Sequence, residues 1–347
     1  MRTASLVIVM VLVVACAAAA FATGTPSAPG AVALDAAALA ELKREYARPA
    51  AIPFPPENRH TPEREALGRM LFFDPRLSGS NSMSCASCHN PSLSWGDGLP
   101  RAVGHGMKVL GRRTPTVLNL AWTSFLFWDG RAEGLEAQAL GPIASRDEMN
   151  QDLDELVEEL RAVQGYRALF ERAYPGEGIT RDTIAKAIAT FERTIVSARA
   201  PFDAWVAGDE SAVSPAAKRG FVVFNTKARC AACRRGWNFT DDGFHDIGLR
   251  SAELGRGALL PLEGMRHAFK TPTLRNVDRR APYMHDGSLA TLAEVVDYYD
   301  SGGVTRPSRA HHVRALGLTP DEKRDLVEFM KTLTSDDPPV SVPVLPR

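Results

Sequence analysis

The chain has 347 residues, about twice a typical domain length, which predicts two compact domains and excludes a single small module. Its 41 Lys+Arg balance 41 Asp+Glu with no long run of like charge, so the electrostatic footprint of a nucleic-acid binder is missing. Aromatic residues at 7%, with 24 prolines and 27 glycines, favour a helical protein with long, turn-rich connections over a sandwich or barrel.

The apolar run from Ala4 to Ala22 follows Arg2 and ends in Ala20-Phe21-Ala22, a small-x-small pattern that predicts a secretory signal over 1–22 and a periplasmic location. An uncleaved membrane anchor and a lipoprotein signal at Cys16 are the alternatives. Residues 23–33 read as linker, and Leu34, Leu39, Leu42 and Tyr46 fall near helical spacing, predicting a short helix over 34–46. Thr61-Pro62 supplies an N-cap and a first-turn proline for a helix running to about Phe73. From Gly79 to Arg113 periodicity is nearly absent, which predicts a loop wrapped on something else, such as a cofactor.

Asp152 to Tyr174 and Thr180 to Val196 carry the clearest amphipathic patterns. Ser214-Pro215 opens the helix before the second CxxC as Thr61-Pro62 opens the one before the first, a weak internal repeat. Capping boxes at Thr291 to Glu294 and Thr319 to Glu322 start helices reaching about Asp300 and Leu333. No strand alternation stands out, and the fold reads as mostly α.

Five cysteines sort into Cys16 in the leader, Cys85 with Cys88, and Cys230 with Cys233. Two CxxC pairs in an exported chain admit thiol redox chemistry, zinc, or covalent haem. In Cys85-Ala86-Ser87-Cys88-His89 the following histidine selects haem: both thiols form thioethers, and His89 reaches the iron. A redox CxxC wants a βαβ setting, and a zinc site wants four N/S ligands close together. Cys230-Ala231-Ala232-Cys233 is followed instead by Arg234, whose guanidinium has no lone pair for iron, so the second pair alone is ambiguous.

The surroundings of both pairs resemble the bacterial di-haem cytochrome c peroxidase/MauG superfamily over residues 60 to 335. The likeness rests on Leu71 to Ser78, Pro115 to Asn119, Phe127-Trp128-Asp129-Gly130-Arg131 and Gln138 to Pro142 in the first half. In the second it rests on Asn225 to Cys233, Phe244-His245-Asp246-Ile247-Gly248, Phe269 to Asn276 and Ala281 to Gly287. The resemblance implies two cytochrome c-like helical domains with long haem-wrapping loops: a peroxidatic haem domain over 34–199, a second haem domain over 200–335, and a Pro-rich tail over 336–347.

It further implies that Cys85, Cys88 and His89 hold the peroxide-reducing haem, with His105 in Gly104-His105-Gly106 as a distal ligand that leaves before peroxide binds. Read alone, His105 is a solvent-exposed loop histidine, and Met107 is a lesser competing ligand. By resemblance Glu148 is the acid/base of peroxide cleavage, Gln138 stands beside it, and Trp128 lies between the haems. Without the resemblance Glu148 and Gln138 are surface polar residues and Trp128 a core aromatic. Cys230 and Cys233 match the second haem attachment, and Tyr299 falls at its distal ligand position, where peroxidases carry Met and MauG-type proteins carry Tyr. Read alone, Tyr299 is a helix-surface tyrosine. His245 and His285 serve the haem pocket or are structural. Relatives place calcium on an Asn side chain at the position of Arg113 and on backbone oxygens at Arg280 and Pro282, and a cation at 113 argues against calcium here.

The expected reaction is reduction of hydrogen peroxide to water with electrons from a small donor protein, such as a cytochrome c or cupredoxin, the second haem site being degenerate at Arg234. The alternatives are a MauG-type oxidase that modifies a partner protein by long-range radical transfer, and a non-enzymatic electron-transfer or redox-sensing cytochrome. The sequence leaves a homodimer open.

Overall fold

The structure, a computed structural model, describes residues 34–347; the expected signal and its alternatives lie outside the described residues. Eleven α-helices occur among those residues, and most of the long ones begin where a cap residue precedes them. Helix α1 (Ala36–Arg44) starts at Asp35, whose carboxylate accepts from the Ala38 amide at 2.8 Å. Helix α2 (Pro62–Phe72) starts at Thr61 with proline in its first turn, and α3 (Cys85–Cys88) is a single turn. Helix α4 (Leu135–Ala144) is followed by α5 (Leu153–Ala162), α6 (Gln164–Ala173) and α7 (Arg181–Thr194). Helices α8 (Pro201–Val206), α9 (Pro215–Asn225), α10 (Leu292–Ser301) and α11 (Pro320–Lys331) complete the set.

The mostly helical expectation holds, with two differences. The segment over 152–174 is two helices, broken where Val163 takes an extended conformation (φ −83°, ψ 111°). Two small antiparallel ladders also occur, β1 (Phe125–Leu126) with β2 (Ala132–Glu133) and β3 (Phe244–His245) with β4 (Phe269–Lys270).

Two apolar cores form. The first gathers Leu67, Leu71 and Phe72 of α2, Leu156 and Leu160 of α5, Phe170 of α6, and Ile184, Ile188 and Phe191 of α7. The second gathers Phe202 and Trp205 of α8, Phe221 and Phe224 of α9, Phe239, and Leu326 and Phe329 of α11. Each core is closed by a glycine at a helix crossing. A Cβ on Gly68 of α2 would overlap the carbonyl oxygen of Ala187 in α7, and one on Gly220 of α9 would overlap that of Asp325 in α11.

The chain ends cross over. Leu39 and Leu42 of α1 pack on the second core, and Tyr46 is buried there against Phe202, Phe221 and Phe239, its hydroxyl donating to Asn225 Oδ1 at 2.6 Å. The Pro-rich tail lies on the first: Val340 packs against it, Arg76 Nη2 donates to the Pro346 carbonyl at 3.1 Å, and Arg69 Nη2 donates to Ser341 Oγ at 2.9 Å. A boundary drawn at residue 200 therefore leaves α1 on the sequence side opposite to the core it joins. Between the cores, Asn119 Nδ2 donates to Asn238 Oδ1 at 3.1 Å, and the Lys270 amide donates to the Trp128 carbonyl at 2.8 Å.

Candidate haem sites

The loops that follow α2 and α9 carry the two CxxC segments to the wall of one cavity of about 720 Å³. Its lining brings together Cys85, Cys88, His89, Trp128, Gln138 and Glu148 from the first half with Cys230, Cys233, Arg234 and Tyr299 from the second. Of the residues expected at the site, His105 and its lesser competitor Met107 do not line it. The His105 amide donates to the Glu148 carbonyl at 2.7 Å, and the Val103↔Val109 bridge closes a short loop whose tip, Met107, is 81% exposed.

At the first CxxC, α3 sets Cys85 and Cys88 at the two ends of one turn and leaves His89 at its C-terminus. The His89 Nδ1–H donates to the Trp95 carbonyl at 3.3 Å, so Nε2 keeps its lone pair. Burial pulls the His89 imidazole below its usual range, which keeps it neutral and able to ligate. Burial also pushes the Cys85 thiol up, and Cys88 up to about 11. Glu148 is half-buried, and burial raises its carboxyl, with the Arg131 charge opposing and Asp147 adding to the shift. Gln138 faces the cavity from α4, and Trp128 is fixed by its indole N–H donating to the Arg113 carbonyl at 3.0 Å.

At the second CxxC, burial pushes the Cys230 thiol up to about 12, with Arg234 opposing. Arg234 Nη1 donates to the Pro272 carbonyl at 2.5 Å. Tyr299 is half-buried on α10 and lines the cavity, where burial raises its phenol, again with Arg234 opposing. His245 Nε2 lies 2.7 Å from Asp241 Oδ2, which with Cys233 pushes it up to about 10. His285 is buried, its ring stacked on Phe269 at 3.7 Å.

A family model described as di-haem cytochrome c peroxidase matches residues 62–211. The methylamine utilization protein MauG of Methylorubrum extorquens is 53% identical, covering 89% of this chain and 88% of its own. The cytochrome c551 peroxidase of Nitrosomonas europaea is 35% identical over 84% of this chain and 85% of its own. The chain belongs to the di-haem cytochrome c peroxidase/MauG family. A solved MauG-like protein associated with microbial copper homeostasis superposes with a TM-score of 0.77 at 31% identity, covering 83% of this chain and 95% of that one.

Membership in the di-haem family makes this chain an oxidoreductase and implies covalently bound haem c, which the first site fits on its own chemistry. Two thiols one turn apart face the cavity beside an imidazole whose second nitrogen is held by a backbone carbonyl, the usual arrangement behind a metal-ligating histidine. The second site fits in its thiols and its half-buried Tyr299 but not at Arg234, which cannot ligate. When bound, haem supplies the redox-active iron at which peroxide is reduced. Glu148, with its raised carboxyl, and Gln138 line the same cavity, where the resemblance expects an acid/base and its neighbour.

Several residues of this cavity carry no signal in a single sequence. His312 comes within 2.9 Å of Cys233 Sγ from 79 residues away, and Glu192 lies buried on the wall with Oε2 unpartnered, pushed up to about 8 by burial. Arg280 donates to the Thr273 carbonyl at 2.6 Å, and its own carbonyl accepts from Arg113 Nη1 at 2.9 Å. The carbonyl expected among calcium ligands in relatives thus has an internal cation as its partner.

Glu148→Gln should leave peroxide access intact and slow peroxide cleavage by about 10² to 10⁴-fold, the usual worth of a positioned acid/base. Stopped-flow absorbance at several peroxide concentrations separates the two steps. Because the Glu148 carboxyl is raised, its base form should be lost as pH falls at a higher pH than for an ordinary carboxylate, and that limb of the rate profile should vanish in the variant.

Proposed function

We propose that this chain is a MauG-type oxidase, which consumes hydrogen peroxide at the His89 site and draws the electrons from a partner protein. Peroxide plus two protons and two electrons gives two waters, so the partner loses two electrons per turnover and is covalently altered. The reading is carried by one contrast: Tyr299 lines the cavity while His105 stands outside it. A peroxidase of the family needs a distal histidine that leaves before peroxide enters, and His105 does not line this cavity. The 53% identity to the Methylorubrum MauG supports the same reading. The chain's haem chemistry suits export, and we place its action in the periplasm.

The test is to mix the fully oxidised protein with stoichiometric peroxide. An absorbance change at the haem without prior reduction is expected. A requirement for prior reduction, with fast turnover on a reduced cytochrome c or cupredoxin, would instead favour the small-donor peroxidase reading, to which the Nitrosomonas relative lends weight.

Arg234 bears on the second site. We expect fewer than two covalent haems per chain by pyridine haemochrome and intact mass, because Arg234 supplies no iron ligand at the position where the first site has His89. Arg234→His should bring the ratio to two. Two low-spin haems in the unaltered chain would show that another residue ligates there.

A further inference from the structure

Three arginines are buried among the described residues: Arg113, Arg193 and Arg275. Two of them meet carboxylates. Arg193 grips Glu136 through two bonds of 2.6 and 2.8 Å, and Arg275 Nη1 donates to Asp203 Oδ2 at 3.0 Å. Arg113 has no such partner. It lines the cavity with Arg234 and Arg280, and these three guanidinium groups donate to the main-chain carbonyls of Arg280, Pro272 and Thr273, Arg234 meeting the uncharged Tyr299 phenol as well. The Nε of Arg113 and the Nε of Arg280 are buried without any acceptor. The nearby carboxylate of Asp97 is engaged elsewhere, accepting from the Thr114 hydroxyl at 2.6 Å and the Leu99 amide at 2.9 Å.

Carbonyl oxygens satisfy N–H groups but do not neutralise charge, and clustered buried cations are costly unless an anion sits among them. Desolvation together with repulsion from Arg113 and Arg234 pulls Arg280 down to about 9, a sign of the same missing anion. The planar guanidinium fork matches a carboxylate in shape and charge.

We propose that Arg113, Arg280 and Arg234 form an anion site that binds carboxylate groups within the cavity. Two sources have this chemistry: the acidic side chains of a haem attached at either CxxC, or a small free carboxylate. The inference rests on the haem content of the family and not on which protein supplies electrons, so it can fail while the MauG-type reading stands.

Optical redox titration of the haem-loaded protein, in a buffer free of small carboxylates, tests it with Arg113→Gln, Arg280→Gln and Arg280→Lys. If the haem supplies the carboxylates, the Gln variants should lower a haem reduction potential by the equivalent of about tenfold in the one-electron equilibrium constant, ~59 mV. Arg280→Lys should keep most of the wild-type value, and added formate should change nothing. If a free anion binds, formate should shift the wild-type potential saturably and leave the Gln variants unmoved. Unchanged potentials in Arg113→Gln and in both Arg280 variants, with no response to formate, would overturn the proposal. Thermal melting of each variant identifies any that fail to fold, and the remaining ones decide.

Discussion

Replacing His89 by alanine should abolish the reaction with peroxide and lower haem attachment at Cys85 and Cys88, as Arg234 should at the second pair. The two thiols lie on α3 itself and the iron ligand is its C-cap residue, so any haem still attached lacks its protein ligand on that side. Loss of a partner behind a metal ligand typically costs 10 to 100-fold, and loss of the ligand itself must exceed that. The His89 ring also fills space beside Phe72, at 6.4 Å between ring centres, and its removal should destabilise the first core by roughly 1–3 kcal/mol. Pyridine haemochrome with intact mass reads attachment, and stopped-flow absorbance reads the peroxide reaction. Full turnover in the variant would remove His89 from the site.

The second large effect is on stability. Gly68→Val places branched carbon against the Ala187 carbonyl, a backbone atom that cannot rotate away, so α2 and α7 must separate and open the first core. Overpacking a well-packed interior costs about 1–3 kcal/mol and occasionally more, and a backbone clash belongs at or above the upper end. At about 2–4 °C per kcal/mol for a domain of this size, the melting temperature should fall by roughly 6–12 °C. Gly220→Val should act alike on the second core through Asp325. Gly264→Ala, where nothing lies within 4 Å, is the matched control and should be near silent by calorimetry.

Helix starts were the most legible feature of the sequence, because caps are local chemistry. Thr61, Thr180, Ser214, Thr291 and Thr319 each bond an amide of the first turn in the fold. Helix α4 escaped notice since Gly141 and Pro142 sit inside it, and the break at Val163 escaped because the apolar spacing runs through it. At the site, Cys85-x-x-Cys88-His89 reads directly from spacing, as covalent attachment and ligation act within five residues. Glu148, Gln138, Trp128 and Tyr299 were reachable only by family resemblance, since their meaning lies in a shared cavity. The position of His105 depends on how its loop is pinned to Glu148, and the cluster of Arg113 with Arg280 on which charges burial leaves unmatched. Neither is encoded in any short window.

The crossing of the chain ends bears on the order in which this protein can be completed. Tyr46 bonds Asn225, 179 residues later, and Arg69 meets Ser341, 272 residues later. During synthesis the first helix is made early and must wait for a docking place that does not yet exist, since the aromatic cluster around Phe221 comes long afterwards. The first core, although its helices are all made by residue 194, receives its outer strap only from the final residues. Contacts of such sequence separation form late, after the loop between them has been closed. A nascent chain halted before residue 341 would therefore carry two unfinished halves rather than one finished and one absent.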